Sequence, residues 1–251
     1  AQTDWFTRIG ATPKLADLLD LVALGTVADV VPLDHNNRIF VAQGLARIRA
    51  GRCCPGIVAL MQIGKRDPAR AVASDLGFAV GPRLNAAGRL QDMTIGIECL
   101  LTDSDEVAGN LAGALNDLNV ERRSIEAEMT ESAERHLEQI RLDGDLPAAL
   151  SLFEPDWHPG VVGIVASRVK DRVHRPVIAF APDGDDFLKG SARSVTGLHI
   201  KDALEAVAAR KPALIRKFGG HAMAAGLTVE RAAFNEFSDE FAAVVAEVLG
   251  P

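Results

Sequence analysis

The chain has 251 residues, 48% of them hydrophobic, and a formal net charge of −7. This length accommodates two domains with buried cores, and the negative charge argues against a protein that coats nucleic acid through bulk charge. No run reaches the roughly 18 apolar residues of a membrane span. The start, AQTDWFTRIG, has neither an initiator Met nor the layout of a signal peptide, which suggests a processed or excised chain.

The three cysteines, Cys53, Cys54 and Cys99, form no CxxC pair. Such an odd set suits a reducing compartment better than a disulfide framework, so we expect a cytoplasmic protein.

The first candidate element, residues 15–31, begins like a helix and ends in the apolar run GTVADVV, which we interpret as a buried parallel strand. Asp29 would then lie at the carboxyl end of that strand, where open α/β sheets bind ligands. Its carboxylate suits a divalent metal ion. It could equally cap the following turn. The neighbouring Asp34 and His35 favour a loop or a helix cap over a ligand pair.

Amphipathic patterns predict helices over residues 37–51 and 55–64. They are followed by GPRLNAAGRL, in which Arg83 and Arg89 could grip phosphate and Asn85 could bond sugar or phosphate oxygens. Alternatively, the two arginines pair with acidic helix residues.

From Ser104 to about Arg141 there is no proline, and apolar residues recur at helical spacing. A helix of this length would be roughly 55 Å long, so we interpret it as a strut that connects two domains. The RLDGDLP turn at 141–147 is the predicted boundary. The stripe consists of Leu111, Leu115, Leu118, Ile125, Met129 and Ile140.

After this turn the pattern alternates between strands and helices and predicts a compact α/β domain of about 100 residues. The predicted strands are AALSLF, PVIAFA, FLKGSARSV and AAGLTV, and the predicted helices are GVVGIVASRVKDRV, HIKDALEAVAAR and the segment from Arg231 to Leu249.

Two short motifs of this domain offer phosphate contacts. HPGVVGIVASR places Gly160 at a helix start, where backbone amides favour an anion, with His158 before it and Arg168 beyond it. GSARS offers the hydroxyls of Ser191 and Ser194 on either side of Arg193.

The third motif, KFGGHAMAAG, surrounds His221 with small residues. Gly219 and Gly220 would let a ligand approach the main chain, which predicts a thin-walled pocket lip. A tight turn before a strand is the alternative. All three motifs lie in residues 160–225 or next to them, and this block carries eleven Lys and Arg against six Asp and Glu. Such segregated charge indicates an anion site, or else a solvated basic face.

Six motifs in this order resemble the RecJ single-strand-specific exonucleases of the DHH phosphoesterase superfamily, from about Leu15 to Gly226. The GGHxxAAG motif marks the DHHA1 domain, which also occurs in oligoribonucleases, cyclic-dinucleotide phosphodiesterases and alanyl-tRNA synthetases. The six motifs are ALGTVADVVPL, GPRLNAAGRL, LLTD with LNVERRSIE, HPGVVGIVASR, GSARS and KFGGHAMAAG.

The resemblance implies a two-domain core in which a Mn²⁺ or Mg²⁺ pair activates water for 5′-to-3′ hydrolysis of single-stranded DNA, in repair and recombination. It makes Asp29 the last metal-binding aspartate and places Arg83, Asn85 and Arg89 on the strand path. Ser191 and Arg193 would hold a phosphate, and His221 would face the scissile phosphate as the catalytic residue. Single-strand-binding protein and a helicase are further expected partners, and no membrane association is expected.

The resemblance also implies what should lie outside these residues. The family's aspartate-rich motifs and its DHH triplet should precede residue 1, and its oligonucleotide-binding domain should follow Pro251. We therefore expect an α/β chain built of the tail of a parallel-sheet DHH domain (1–101), a connecting helix (102–146) and a DHHA1 domain (147–251). Such a chain should bind single strands without cutting them. The alternatives are a non-catalytic nucleotide- or protein-binding module, or a relative of the oligoribonucleases and cyclic-dinucleotide phosphodiesterases.

Overall fold

The computed structural model of the chain describes residues 14–143 and 146–250. Contacts divide the chain into two compact units, 1–122 and 123–251, which are described separately. The division falls inside the long helix, whereas the sequence places a boundary at 141–147. Residues 144 and 145 of that predicted turn lie outside the described residues.

The first unit is helical, and its described residues contain no strand. The strand predicted within 15–31 is wrong, because a 3-10 turn at Leu15–Leu18 leads directly into helix α1, Leu19–Ala28. The error has a physical cause: a short, continuously apolar segment has the same periodicity whether it is a buried strand or a buried helix. Its leucines and alanines are good helix formers.

The helices predicted over 37–51 and 55–64 are confirmed. Asp34 caps the first of them by accepting a hydrogen bond from the amide of Asn37 at 2.8 Å, as an N-terminal aspartate should. The helical elements that follow α1 in this unit are α2 (His35–Arg49), α3 (Pro55–Ile63), a 3-10 turn (Pro68–Arg70), a helical turn (Ala73–Asp75), a π-helical turn (Leu76–Val80), α4 (Gly81–Leu90) and α5 (Thr94–Leu101).

Close helix crossings form the core of the first unit. A Cβ built on Gly44 of α2 would lie 2.2 Å from the carbonyl oxygen of Leu19, and one on Gly56 of α3 would lie 2.0 Å from that of Cys99. Only a residue without a side chain allows backbones to approach so closely. The fully buried Ile57, Leu60, Met61, Leu76 and Leu115 fill the space between the helices.

The predicted long helix is confirmed as α6, Asp105–Asp143. At 1.5 Å per residue its 39 residues extend about 58 Å. Leu115, Leu118 and Met129 of the predicted stripe are buried, and the side chain of Ile140 lies outside the described part of the chain. No helix of the described residues is both long and apolar enough to cross a membrane.

The second unit is built on a five-stranded sheet of order β1-β2-β3-β5-β4. The first two strands are parallel and the other neighbours are antiparallel. The four strands and three helices predicted from the sequence are confirmed, whereas β4 was not predicted. The elements are β1 (Leu150–Phe153), α7 (Val162–Val173), β2 (Val177–Asp183), β3 (Phe187–Arg193), α8 (Ile200–Arg210), β4 (Lys217–Gly220), β5 (Ala224–Glu230), a 3-10 turn (Arg231–Ala233) and α9 (Phe234–Leu249).

The two faces of this sheet differ in chemistry. One face packs against α8 and α9 in a core that includes Phe180, Leu188, Leu204, Leu227 and Phe237. Helix α7 packs on β2 and β3 and contributes none of its residues to that core.

Candidate nucleic-acid interface

Strand β3 places its polar side chains on the sheet face that carries α7. Successive side chains of a strand point to opposite faces, so Leu188 and Ala192, which are buried in the core, alternate with Lys189, Ser191 and Arg193. This period of two is the reason that the GSARS motif presents Ser191 and Arg193 together.

The strand register extends these positions into three rows across β3, β5 and the β4 side of the sheet. Residues paired directly across antiparallel strands have their side chains on the same face. The rows are Arg193, Ala224 and His221, then Ser191, Gly226 and Gly219, then Lys189, Thr228 and Lys217.

The Arg193 guanidinium is held over the middle row. Its Nη1 donates to Ser191 Oγ at 3.0 Å and to the carbonyl oxygen of Ala192 at 2.8 Å. A Cβ built on Gly163, the second residue of α7, would lie 2.8 Å from Arg193 Nη2 and 3.0 Å from Ser191 Oγ. A bare helix start therefore touches both groups, and the dipole of α7 adds partial positive charge there.

The middle row forms a bare floor. A Cβ on Gly219 would meet nothing within 4 Å, and one on Gly226 would meet only the carbonyl oxygen of Gly190, at 3.9 Å. The fold itself therefore does not require glycine at these two positions. Gly220 is different, because its φ of +154° and a Cβ 2.5 Å from Ala224 O both require glycine. A groove of about 220 Å³ lies over this floor, with Lys189 and Lys217 along it.

His221 follows β4 directly, so Gly219 and Gly220 belong to a strand and not to a loop, which corrects the predicted pocket lip. The His221 amide donates to Ala224 O at 2.9 Å, and Ala224 pairs with Arg193. Two strand spacings of about 4.8 Å separate His221 from Arg193 at Cα. The imidazole residue is exposed, as a group that contacts a ligand must be.

Ser194 does not share this surface. Its side chain is buried, and its hydroxyl donates to Leu198 O at 2.7 Å. The structure therefore contradicts the prediction that Ser194 binds phosphate. The residue follows the last position of β3, and its hydroxyl fixes the turn that leads to α8.

Only some residues of the HPGVVGIVASR motif belong to this surface. Helix α7 begins at Val162, and the Gly160 amide donates to His158 Nδ1 at 3.0 Å, so Gly160 is not the helix start. Arg168 pairs with the buried Glu126 of α6. Five helical steps of about 100° place Arg168 roughly 140° around α7 from Gly163, away from Ser191 and Arg193. Arg168 therefore does not lie with Ser191 and Arg193.

His158 lies in a different pocket of the second unit. This cavity of about 670 Å³ is lined on its α6 side by Met129 and His136, and on the other by Glu154 and Trp157. His136 Nδ1 lies 3.3 Å from Glu154 Oε1. The phosphate-binding role of His158 stays a prediction.

The remaining candidates lie in the first unit. Asp29 follows α1 as its exposed C-terminal cap, and its amide donates to Gly25 O at 3.0 Å. It lines an apolar cavity of about 340 Å³ together with Asn85. Because this cap is formed by the backbone amide at the end of α1, capping of the following turn by the Asp29 carboxylate stays a prediction.

GPRLNAAGRL forms helix α4. Asn85 and Arg89 are both exposed and, four residues apart, share one face of the helix. Arg83 is half-buried: its Nη1 donates to Ala79 O at 2.6 Å and its Nε to Asn116 Oδ1 of α6 at 3.1 Å. Arg83 therefore binds α6 through the Asn116 amide.

One carboxylate cannot by itself hold a pair of metal ions. Across residues 14–143 and 146–250, no group of three or more His, Cys, Asp or Glu side chains could bind one. Asp29 fits at most as a single ligand within a larger set. Its metal-binding role stays a prediction.

Four residues of the interface were missed, one of which, Gly226, ends the KFGGHAMAAG motif. Lys189 has a sequence signal, since it continues the alternation of Ser191 and Arg193. Lys217 could be placed only with the register of β4, and Gly163 only with the packing of α7 on β3.

Comparisons with known proteins agree with this architecture. Residues 145–247 match the DHHA1 domain family. The single-stranded-DNA-specific exonuclease RecJ of Dickeya dadantii (strain 3937) is 59% identical over 247 residues, which cover 98% of this chain and 43% of that protein. The chain is similar to RecJ over nearly its whole length. The RecJ of Escherichia coli (strain K12) is 56% identical over 249 residues, again 98% of this chain and 43% of the relative.

Solved RecJ structures share the fold. A crystal structure of RecJ from Thermus thermophilus in complex with Mg²⁺ superimposes with a TM-score of 0.81 at 35% identity, covering 98% of this chain and 37% of that one. The expected RecJ resemblance and the α/β fold with a long helix and a DHHA1 domain are confirmed. The chain spans less than half of the length of the curated relatives that it matches.

Proposed function

We propose that this chain is the substrate-gripping part of a metal-dependent exonuclease that degrades single-stranded DNA from 5′ to 3′ in repair and recombination in the cytoplasm. The observation that carries the proposal is the open sheet face on which Ser191, Arg193 and His221 converge over a bare glycine floor. RecJ relatives named single-stranded-DNA-specific exonucleases support the substrate class.

The chemistry of this face suits a phosphodiester backbone. Arg193 offers a charge-assisted donor, Ser191 a hydroxyl, and the start of α7 a partial positive charge. None of these groups reads a base edge, so we expect binding with little dependence on sequence. Stacking contributes little on this face, because the chain has no Tyr and Trp157, the one indole among the described residues, is buried.

The hydrolytic centre requires groups that the described residues do not supply. Mn²⁺ or Mg²⁺, both present in solved RecJ structures, would supply activated water and charge neutralisation. Asp29 would contribute one carboxylate to that site. In the second unit, His221 would contact the scissile phosphate, and Arg193 would orient the strand. Single-strand-binding protein and a helicase remain proposed partners.

The test measures binding and cleavage on the same preparation. The 251-residue chain should bind a 5′-phosphorylated 12-nucleotide strand at low salt and bind it more weakly as salt rises, because phosphate contacts release counterions. Arg193→Ala should weaken binding about tenfold, and Arg210→Ala, which removes an exposed partner of Glu247, should leave it unchanged.

With Mn²⁺ added, the same chain should leave the strand intact. Robust hydrolysis by the pure chain would refute the assignment of most metal ligands to regions outside it. Tighter binding of a cyclic dinucleotide than of the 12-nucleotide strand would instead favour a nucleotide-sensing module.

A further inference from the structure

The row of the sheet face beyond Ser191 carries two lysines. Lys189 of β3 and Lys217 of β4 both pair with Thr228 of β5, one from each side. Two strand spacings of about 4.8 Å separate them at Cα, so their long side chains can reach one group from opposite sides. Thr228 between them is buried and lines the groove.

These lysines are not neutralised by the protein. No ion pair within residues 14–143 and 146–250 involves Lys189 or Lys217, and both side chains are exposed. Two other lysines of the same unit are paired: Lys201 with Glu205 at 2.8 Å, and Lys211 with Glu236 at 2.7 Å. Two uncompensated cations on one groove repel each other, and an anion between them removes that repulsion.

The spacing of the rows matches neighbouring phosphates on one strand. The Arg193 guanidinium bonds Ser191 Oγ at 3.0 Å, so its charge lies over the middle row. Lys189 lies two residues from Ser191 along β3, about 6.7 Å away. This is comparable to the separation of neighbouring phosphates on an extended strand, and the glycines of the Ser191 row leave room for that strand.

The basic track ends after this row. The next row on the same face pairs Phe187 with Glu230, whose carboxylate is exposed. Arg216 does not extend the track along the groove, since its guanidinium lies over the Phe187 ring at 4.3 Å from the centroid.

We propose that Lys189 and Lys217 form a second phosphate subsite, one nucleotide from the Ser191 and Arg193 site, that binds the next phosphodiester of the same strand. The inference rests on the proposed function, because it assigns a second phosphate of the same single-stranded DNA. The carboxylate of Glu230 in the next row repels a further phosphate, so the basic surface ends at this second subsite.

The experiment compares ligands with one and two phosphates on the 251-residue chain. NMR titrations use thymidine 5′-monophosphate, the 5′-phosphorylated thymidine dinucleotide and the 12-nucleotide strand. The Lys189→Gln/Lys217→Gln variant should bind the monophosphate like the parent and lose about fivefold for the dinucleotide. For the dinucleotide, the slope of the logarithm of the binding constant against the logarithm of salt concentration should be smaller in magnitude by about 0.7. This is the value for one phosphate of a single strand.

Two control variants separate the possible outcomes. Arg193→Ala should weaken the binding of all three ligands, and Lys201→Gln, a lysine that is paired on α8, should weaken none. An unchanged dinucleotide affinity in the double-lysine variant, or an equal loss for the monophosphate, would overturn the second subsite while the proposed function stands. A parent chain that binds none of the three ligands would overturn both.

Discussion

The Arg193 guanidinium rests against Gly163 at the start of α7, where an added Cβ would lie 2.8 Å from Nη2. The contact joins the HPGVVG and GSARS motifs into one site, although they lie far apart in the sequence. It also makes the position of the guanidinium depend on the absence of a single methyl group.

We therefore predict that Gly163→Ala weakens binding of single-stranded DNA about five- to tenfold without loss of stability. The group displaced is the end of a flexible side chain, so the fold adapts, and alanine favours the helix by up to about 1 kcal/mol. Fluorescence anisotropy and urea unfolding measure the two effects. Gly109→Ala on α6, where a Cβ meets nothing within 4 Å, is the matched control and should retain full affinity. Equal affinities of both variants would mean that Gly163 has no part in the site.

The glycine floor gives a second prediction. Gly226→Ala should keep or slightly raise the free energy of unfolding, because alanine loses less backbone freedom than glycine and its Cβ would meet only Gly190 O, at 3.9 Å. It should nevertheless weaken DNA binding, because the methyl group occupies the groove. Gly220→Ala should instead destabilise the fold, since its Cβ would lie 2.5 Å from Ala224 O at a φ of +154°. Thermal unfolding and anisotropy on both variants distinguish the roles, and a destabilised Gly226→Ala would show that the floor serves packing.

Arg168 is predicted to stabilise the second unit and not to bind DNA. Arg168→Met leaves the buried Glu126 carboxylate without this partner, which should lower the free energy of unfolding by about 1–3 kcal/mol. The loss should be smaller than for a fully buried pair, because Arg168 is exposed. Urea unfolding checks the loss. Arg135→Met, which breaks an exposed pair with Glu131, should cost at most about 0.5 kcal/mol.

DNA affinity decides whether Arg168 also contacts the substrate. It should be the same for Arg168→Met and for Arg135→Met when both are measured well below their unfolding transitions. A tenfold weaker affinity of Arg168→Met alone would restore Arg168 to the phosphate site.

The strand pattern of the second unit could be predicted because β1, β2, β3 and β5 have the alternation or the continuous apolar run of sheet strands. β4 could not, since Gly219 and Gly220 give half of its four residues no side-chain signal. The same gap hid Lys217, whose place on the face follows only from the register. Ser194 was wrongly assigned to the phosphate site because its hydroxyl suggested a donor, whereas the sequence did not show that its side chain is buried. Helix α1 was mistaken for a strand because a short apolar run has no period that distinguishes the two.

Two partly buried thiols, those of Cys53 and Cys54, make the stability of the first unit sensitive to alkaline pH. Burial, with a smaller contribution from Asp20, raises the pKa of Cys54 from 9.0 to about 12 and that of Cys53 to about 11. Above pH 9 the unfolded chain loses these protons while the folded chain keeps them, so stability is full below pH 9 and falls as the pH rises toward the folded pKa values. Urea unfolding should show that the free energy of unfolding falls less between about pH 8 and about pH 10 for Cys54→Ala than for the parent. An identical loss would mean that Cys54 ionises equally in both states.

Single-stranded DNA should lie across the open sheet face, and amide NMR shifts measure this directly. Titration of the isotope-labelled chain with a 5′-phosphorylated six-nucleotide strand should move the amides of Gly163, Ser191, Gly219, His221 and Gly226 together. The amides of α8 and α9, on the opposite face, should stay in place. Shifts that cluster on α8 and α9, with Ser191 and Gly226 unchanged, would contradict this placement of the strand.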